Sequence, residues 1–272
     1  MKPLYQIELN TTELCNRTCS FCPRAFDYPN LNLHMSTKTV LAIIQQTKKY
    51  TNHFSLAGRG EPLLCKNIYS IIDILIYNNC FVTVVTNGDF LDKHFDSLNR
   101  IMNFSVPYSK DVPHNLYKNY KMVVNCYDGQ KDDWKKKYGD FPSINWTDAR
   151  KDTKENFDKM INDSVLTNRG GYLPWKQNKR EDALQKPCYQ LWWKTFINYN
   201  GDVNLCCHDW THIKNFGNIH ETKFEDIWEK GLLDEYRTKL TKWGGRDLFD
   251  ECRQCDATQN YNIAEKIYDT WK

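Results

Sequence analysis

The sequence of 272 residues lacks any uninterrupted apolar stretch of 18 or more residues, which excludes a membrane-spanning helix. The sequence also lacks an excess of either charge, because 37 basic and 34 acidic residues leave a formal net charge of only +3. A nucleic-acid-binding surface normally carries a clustered basic face, so this balance does not favour nucleic acid as a partner. With 40% hydrophobic and 26% charged residues, the composition also excludes a disordered chain and a collagen-like fibre.

Cysteine, in contrast, is abundant, with 11 residues in the chain. The number is odd and several cysteines are closely spaced. Residues 1–3 lead directly into a strand-like segment, without the apolar core of a secretory signal peptide. We therefore expect a cytoplasmic protein in a reducing compartment, where clustered cysteines bind metal more often than they form disulfides.

The first half of the chain alternates strand and helix patterns. Strand-like runs occupy 5–9, 54–57, 81–86, 101–106 and 121–126, and helical runs occupy 39–49, 68–77 and 90–99. Strands separated by helix-length segments favour βα units around a parallel sheet, and thus an α/β protein. From about residue 160 short apolar runs, Gly, Trp and Cys dominate, and a helix is expected at 223–236. We therefore predict two domains, residues 1–160 and 161–272.

The first cysteine cluster consists of Cys15, Cys19 and Cys22, with the spacing C-x3-C-x2-C after the first strand. Three thiolates within eight residues can face one metal centre. They are one fewer than the four ligands that close a structural zinc site or an iron–sulfur cluster. A cluster with three protein ligands would leave one iron open to a small molecule, whereas a zinc loop would need a fourth ligand elsewhere.

This motif, with Phe21 before its last cysteine, resembles that of the radical S-adenosylmethionine (SAM) superfamily. The resemblance implies that Cys15, Cys19 and Cys22 hold a [4Fe–4S] cluster whose open iron is chelated by SAM, with Phe21 near the adenine. Reductive cleavage of SAM would then yield a 5′-deoxyadenosyl radical that abstracts a hydrogen atom from the substrate. The resemblance also implies a partial (β/α)6-type TIM barrel as the core.

Two further segments match the family in the same order along the chain. The AGRGEP segment at 57–62 resembles its G-x-G-E-P pattern at the end of the second strand, and Thr86-Asn87-Gly88 resembles the T-N-G that ends the third strand. Functional groups at the carboxyl ends of parallel strands meet at one edge of a barrel. The resemblance implies contacts to SAM from Gly58, Gly60, Glu61, Thr86 and Asn87. These segments favour the radical SAM interpretation over a zinc loop.

The second cysteine group lies beyond residue 160. Two thiols from a hairpin and two from a C-x2-C knuckle can meet in one closed site, namely Cys188, Cys206, Cys252 and Cys255. On geometry alone, four thiolates suit either zinc or a [4Fe–4S] cluster. Adjacent strand residues point to opposite faces, so only one of Cys206 and Cys207 should be a ligand. The remaining cysteines, Cys65, Cys80 and Cys126, have no partner spacing and are predicted to be buried as small apolar residues.

The order of these features resembles the SPASM domain of radical SAM enzymes in its shortened twitch form, a small α+β domain with one auxiliary [4Fe–4S] cluster. The family's G-x4-C spacing matches Cys206, which leaves Cys207 buried opposite. With the first cluster, the resemblance implies two [4Fe–4S] clusters and SAM as cofactors, over nearly the whole chain.

A fully ligated auxiliary cluster cannot bind substrate, but it can accept an electron. Loss of a hydrogen atom, then of a proton and an electron, converts an alcohol into a carbonyl. Twitch enzymes typified by 2-deoxy-scyllo-inosamine dehydrogenases oxidise a secondary alcohol on an aminocyclitol. The resemblance therefore implies a radical SAM oxidoreductase that acts on a small sugar-like or cyclitol substrate, with an electron donor such as flavodoxin or ferredoxin.

Two side chains are candidates for direct catalytic roles. Arg169, in an N-R-G-G turn between the two predicted domains, could reach a cavity and bind a hydroxyl or carboxylate, or it could form a surface salt bridge. His208, after the cysteine pair, could accept a proton near neutral pH, or it could be a structural histidine.

Two other functions stay open. The first is a radical SAM–SPASM maturase that modifies a peptide or protein, although Cys15 stands so early that we expect no peptide-recognition domain ahead of it. The second is a non-enzymatic zinc or iron–sulfur protein, which would leave the GRGEP segment unexplained.

Overall fold

The computed structural model describes residues 2, 4–93, 120–126, 130–139, 144–148, 167–173, 185–210 and 213–257. The strands are β1 Gln6–Asn10, β2 His53–Ala57, β3 Phe81–Thr86, β4 Tyr120–Cys126, β5 Ile144–Asp148, β6 Lys194–Ile197, β7 Asp202–Asn204 and β8 Asn215–Asn218. Within the described ranges they form one sheet in the order β5-β4-β3-β2-β1-β6-β7-β8. Neighbours from β5 to β6 are parallel, whereas the β6–β7 and β7–β8 pairs are antiparallel. The α/β class with a parallel core is therefore confirmed.

The helices are α1 Thr37–Thr47, α2 Ile68–Tyr77, α3 Gln130–Tyr138, α4 Gln190–Trp193, α5 Leu232–Leu240 and α6 Asp250–Arg253. Short 3-10 turns stand at Pro23–Ala25, Pro62–Leu64 and Gly245–Leu248, and a π-helical turn at Asp226–Lys230. Ser36 caps α1, because its side chain accepts a hydrogen bond from the Thr39 amide. No helix in the described part of the chain is long and apolar enough to cross a membrane.

The sequence patterns locate most of these elements to within two residues. α2 and β3 have the predicted bounds, and α1 begins two residues earlier than predicted. The prediction of a single helix at 223–236 is wrong. Gly231 adopts an extended conformation (ψ −170°) and separates the π-helical turn from α5. The predicted strand at 101–106 and most of the predicted helix at 90–99 lie outside the described residues.

The parallel strands divide their side chains between two faces. Ile7 and Leu9 alternate with Gln6 and Glu8 along β1. The apolar members pack with those of β2 and β3 and with α1 and α2 in one core. Consecutive parallel strands with right-handed crossovers place their helices on the same face of the sheet. The other face carries the polar alternate residues, and a cavity opens on it.

The C-terminal part of the chain continues the same sheet. β6 pairs with β1 in parallel, with Glu8 opposite Phe196. Beyond the sheet, the rings of Tyr236 and Phe249 stack at 3.6 Å in a second apolar cluster. The predicted domain boundary at residue 160 falls outside the described residues and stays a prediction.

Cys65, Cys80 and Cys126 are buried in the main core, as predicted.

Candidate active site

A cavity of about 410 Å³ opens at the carboxyl ends of the first parallel strands. Its volume lies within the range of about 300–1,000 Å³ that small-molecule sites occupy. The three cysteines of the first cluster line it together. The other sequence-predicted residues on its wall are Phe21, Gly58, Gly60, Glu61, Thr86, Asn87 and Arg169.

The loop that carries the first cysteine cluster is fixed to its surroundings by hydrogen bonds. The Cys15 amide donates to the Asn30 side chain at 2.9 Å, and Asn30 donates back to the Cys15 carbonyl at 2.9 Å. The buried Arg24 guanidinium donates to the carbonyl oxygens of Glu13 (2.8 Å) and Arg59 (2.7 Å). These bonds tie the loop to the segment that follows β2.

The chemistry of this donor set suits an iron–sulfur cluster. Burial raises the pKa of the Cys15 thiol to about 11, because a buried thiolate is poorly solvated. A bound cationic metal centre would compensate a thiolate at this position, and soft sulfur donors select iron–sulfur clusters or zinc. The three thiols on one cavity wall therefore fit the cluster that the sequence predicts.

The glycines of the GRGEP segment allow it to approach the cysteine loop closely. A Cβ atom at Gly60 would lie 2.2 Å from the Thr12 carbonyl oxygen, and one at Gly58 would lie 2.5 Å from Asn10 Oδ1. Gly58 also has a positive φ of 114°. The backbone at the end of β2 consequently packs directly on the residues that lead into Cys15.

Glu61 joins the ends of two strands through hydrogen bonds that the sequence did not predict. Its buried carboxylate accepts hydrogen bonds from the Thr86 hydroxyl (2.7 Å) and from the amides of Asn87 (2.8 Å) and Leu63 (2.9 Å). Burial raises the pKa of this carboxyl above its ordinary value. Glu61 therefore connects the end of β2 to the end of β3, and its predicted contact with SAM stays a prediction.

Asp89 links the T-N-G segment to the cysteine loop. Its carboxylate accepts hydrogen bonds from Arg17 and from Asn16 (2.6 Å), and Asn87 donates to Asn16 at 2.9 Å. Burial favours the neutral carboxyl, but the hydrogen bonds from Arg17 and Asn16 outweigh it and lower the pKa of Asp89. Hydrogen bonds thus join the segment predicted to contact SAM directly to the cysteine loop.

The floor of the cavity carries an ion pair that sequence reasoning missed. Lys194 Nζ lies 2.6 Å from Glu8 Oε2 on the inner face of the sheet. Burial opposes the charge of Lys194, but the neighbouring Cys207 and Glu8 outweigh it and raise its pKa. The alternation of Gln6 and Glu8 with Ile7 and Leu9 is the signal that could have placed Glu8 on the face of the sheet that carries the cavity.

Arg169 reaches the same cavity from a strained turn. Its φ of 51° lies in the left-handed region that non-glycine residues rarely occupy, and Gly170 and Gly171 follow with positive φ. The turn is pinned to the C-terminal knuckle, because the Asn168 amide donates to the Asp256 carboxylate at 2.7 Å. Strain of this kind is typical of functional positions.

A second, enclosed cavity lies in the C-terminal part. The four cysteines predicted as auxiliary ligands line it together: Cys188, Cys206, Cys252 and Cys255. Burial raises the pKa of the Cys255 thiol to about 11 and raises those of Cys206 and Cys252 as well. Within the described ranges, no three His, Cys, Asp or Glu side chains are arranged to bind a single metal ion. Four soft donors around one cavity fit a cluster with complete protein ligation.

Cys206 and Cys207 lie on different cavities. Cys206 lines the enclosed cavity with the other three candidate ligands, whereas Cys207 lines the large cavity near Lys194. The two side chains are separated as predicted, but β7 ends at Asn204 and the cysteines lead into a turn in which the Asp209 amide donates to the Cys206 carbonyl, so strand alternation is not the cause. One peptide bond thus joins the walls of the two cavities.

His208 lines the enclosed cavity, and its side chain is not among those that line the large one. Its Nδ1 atom lies 3.2 Å from the Thr167 hydroxyl. Burial, with smaller effects from Arg169 and other cations, lowers the pKa of His208 to about 3. His208 thus faces the enclosed cavity and is neutral at pH 7, and its predicted role as a proton acceptor stays a prediction.

Two family models match separate parts of the chain. The model of the radical SAM superfamily matches residues 9–133, and the SPASM model, an iron–sulfur cluster-binding domain, matches residues 188–256. The chain is 25% identical over 257 residues, 92% of each protein, to an S-adenosyl-L-methionine-dependent 2-deoxy-scyllo-inosamine dehydrogenase from Niallia circulans.

Two solved structures have similar folds. BtrN in complex with AdoMet and 2-DOIA matches with a TM-score of 0.63 and 22% identity over 95% of both chains. Streptococcus suis SuiB bound to the precursor peptide SuiA matches with a TM-score of 0.51 and 16% identity, over 88% of this chain and 67% of SuiB.

Proposed function

This chain is an enzyme of the radical SAM superfamily with a C-terminal SPASM domain, and from that premise we propose that it oxidises a small sugar-like or cyclitol substrate by two electrons. Its cofactors are [4Fe–4S] clusters and SAM. The proposed reaction converts a secondary alcohol of the substrate into a ketone. The observation that carries the proposal is the position of Cys206 and Cys207, one peptide bond apart on the walls of two cavities.

We assign the cofactors to the residues around these cavities. The first cluster would be held by Cys15, Cys19 and Cys22, and the auxiliary cluster by Cys188, Cys206, Cys252 and Cys255. SAM would bind along Phe21, Gly58, Gly60, Glu61, Thr86 and Asn87.

The cofactors supply the radical and redox chemistry, and the polypeptide positions the substrate and links the two sites. When bound, the first cluster and SAM would supply hydrogen-atom abstraction, and the auxiliary cluster would supply a one-electron acceptor. The peptide bond between Cys206 and Cys207 would give a short covalent link between the substrate cavity and the auxiliary site. A reduced carrier such as flavodoxin or ferredoxin would deliver the electron that each cleavage of SAM requires.

The polar floor and wall of the large cavity suit a hydroxylated substrate. Arg169 presents guanidinium donors that can bind hydroxyl oxygens and orient the ring. The Glu8 carboxylate, paired with Lys194, is the group that we propose accepts the hydroxyl proton as the carbonyl forms. The dehydrogenase activity in the name of the Niallia circulans relative supports a cyclitol substrate.

The test uses anaerobically reconstituted full-length protein with dithionite and SAM. We expect about eight irons per chain, since each [4Fe–4S] cluster holds four. Substrates deuterated at one carbinol carbon, drawn from cyclitols, aminocyclitols and sugars, should transfer deuterium to 5′-deoxyadenosine and give a ketone. R169K and R169Q test the binding role, with the larger rise in KM expected for R169Q.

Two outcomes would contradict the proposal. About four irons together with zinc would remove the electron acceptor, and with it the oxidation. Deuterium transfer from peptides, with none from any ring substrate, would favour the maturase function.

A further inference from the structure

Arg246 is buried beside the four candidate ligands of the auxiliary cluster. It belongs to the 3-10 turn Gly245–Leu248 that precedes α6, and its side chain is only 2% exposed. Its guanidinium lines the enclosed cavity and donates to the carbonyl oxygens of Cys255 (3.3 Å) and Ala257 (2.9 Å). These two bonds hold the guanidinium against the C-x2-C knuckle that carries Cys252 and Cys255.

Two acidic side chains also line this cavity, and both accept hydrogen bonds. Glu251 accepts from the Tyr236 hydroxyl at 3.2 Å and lies 3.6 Å from Lys214 Nζ. Asp209 accepts from the backbone amides of Ile213 (2.9 Å) and Lys214 (2.6 Å). Donors from the surrounding protein thus offset both negative charges.

The charge of Arg246 lies beside the sulfur atoms of the site. The residue lines the same cavity as Cys188, Cys206, Cys252 and Cys255, and its guanidinium donates to the carbonyl oxygen of Cys255 itself. A buried cation on this wall favours negative charge in the cavity.

We infer that Arg246 raises the reduction potential of the auxiliary cluster and thereby makes it a better electron acceptor. Reduction adds one negative charge to a group that is already anionic. A fixed cation in a poorly solvated site stabilises the reduced form more than the oxidised form. This inference rests on the proposed function, because it requires a cluster held by the four cysteines.

The test measures the midpoint potential of the auxiliary cluster in the full chain. The variant C15A/C19A/C22A removes the first set of ligands, so that only the auxiliary cluster contributes to an anaerobic redox titration followed by EPR. Three further substitutions are made in this background. R246Q removes the charge, R246K keeps it, and R253Q removes a charge from the same knuckle at a side chain that is 51% exposed.

We expect R246Q to disfavour reduction at least tenfold, which corresponds to about 59 mV for one electron. R246K and R253Q should stay close to the parent, because the first retains the charge and solvent screens the second. An unchanged potential in R246Q, or an equal shift in R253Q, would overturn the inference. Loss of iron in R246Q but not in R246K would also overturn it, since Arg246 would then act on assembly. A parent without iron would refute the proposed ligand set itself.

Discussion

The substitution E61Q tests whether Glu61 acts on SAM directly or by holding the strand ends together. In the structure, one carboxylate oxygen accepts from both Leu63 and Thr86 and the other accepts from the Asn87 amide. A glutamine can keep the first two bonds, but its NH2 group then faces the Asn87 N–H, donor against donor. One charge-assisted hydrogen bond is lost and one buried N–H is left without an acceptor.

Each of these losses costs about 1–3 kcal/mol, and because they overlap we expect a total of about 2–4 kcal/mol. For a chain of this size, that loss lowers the melting temperature by roughly 5–15 °C. The assay is thermal unfolding of the cluster-loaded protein under anaerobic conditions, together with the Kd for SAM. T86V should likewise lower the melting temperature and weaken SAM binding, since it removes the Thr86 hydroxyl from the same network. T86S keeps the hydroxyl and should leave both quantities close to those of the wild type.

E225Q is the matched control, because it makes the same chemical change at an exposed carboxylate that pairs with Lys49. It should leave both the melting temperature and the Kd for SAM nearly unchanged. Suppose instead that E61Q melts like the wild type but binds SAM at least tenfold more weakly, while T86V binds it normally. Glu61 would then contact SAM directly, and the positioning role would be refuted.

Three further predictions concern the cluster sites. C206A should lose about half of the iron and C207A should retain it, as measured by iron analysis, and the reverse result would exchange the ligand assignment. D89N should destabilise the cluster-free chain at pH 7 in urea unfolding. Since the pKa of Asp89 is lowered, this difference should disappear as the pH falls through and below its ordinary value, and a constant difference would contradict the pairing with Arg17. G60A should prevent assembly of the first cluster, because its Cβ would lie 2.2 Å from the carbonyl oxygen of Thr12, which leads into the cysteine loop; normal iron content would argue against this close packing.

Local patterns in the sequence identified the parts of this fold that depend on local chemistry. The β-branched run at 81–86 is a strand, and the apolar face at 68–77 is a helix. The cysteine spacings placed seven thiols in two groups, and each group lines one cavity.

The residues that sequence reasoning missed owe their positions to long-range pairing. Lys194 lies on the cavity floor only because β6 pairs in parallel with β1. The sequence of residues 194–197 does not predict that β1 is the neighbouring strand. Glu61 was associated with SAM, but its contacts with Thr86 and Asn87 depend on how the ends of β2 and β3 meet. His208 follows two cysteines in the sequence, and which cavity it faces depends on the path of the folded chain.

The pairing of β1 with β6 also determines when, during synthesis of the chain, the first cysteine site can form. Glu8 and Lys194, partners across these strands, are 186 residues apart in the chain. While the ribosome synthesises the intervening segment, β1 has β2 on one side and an unpaired edge on the other, directly ahead of the cysteine loop. The loop can complete its surroundings only after β6, which ends at Ile197, has emerged, and contacts of such long range form slowly. Iron delivered before that point would meet an unfinished cavity, so insertion of the first cluster should wait until β6 has been synthesised.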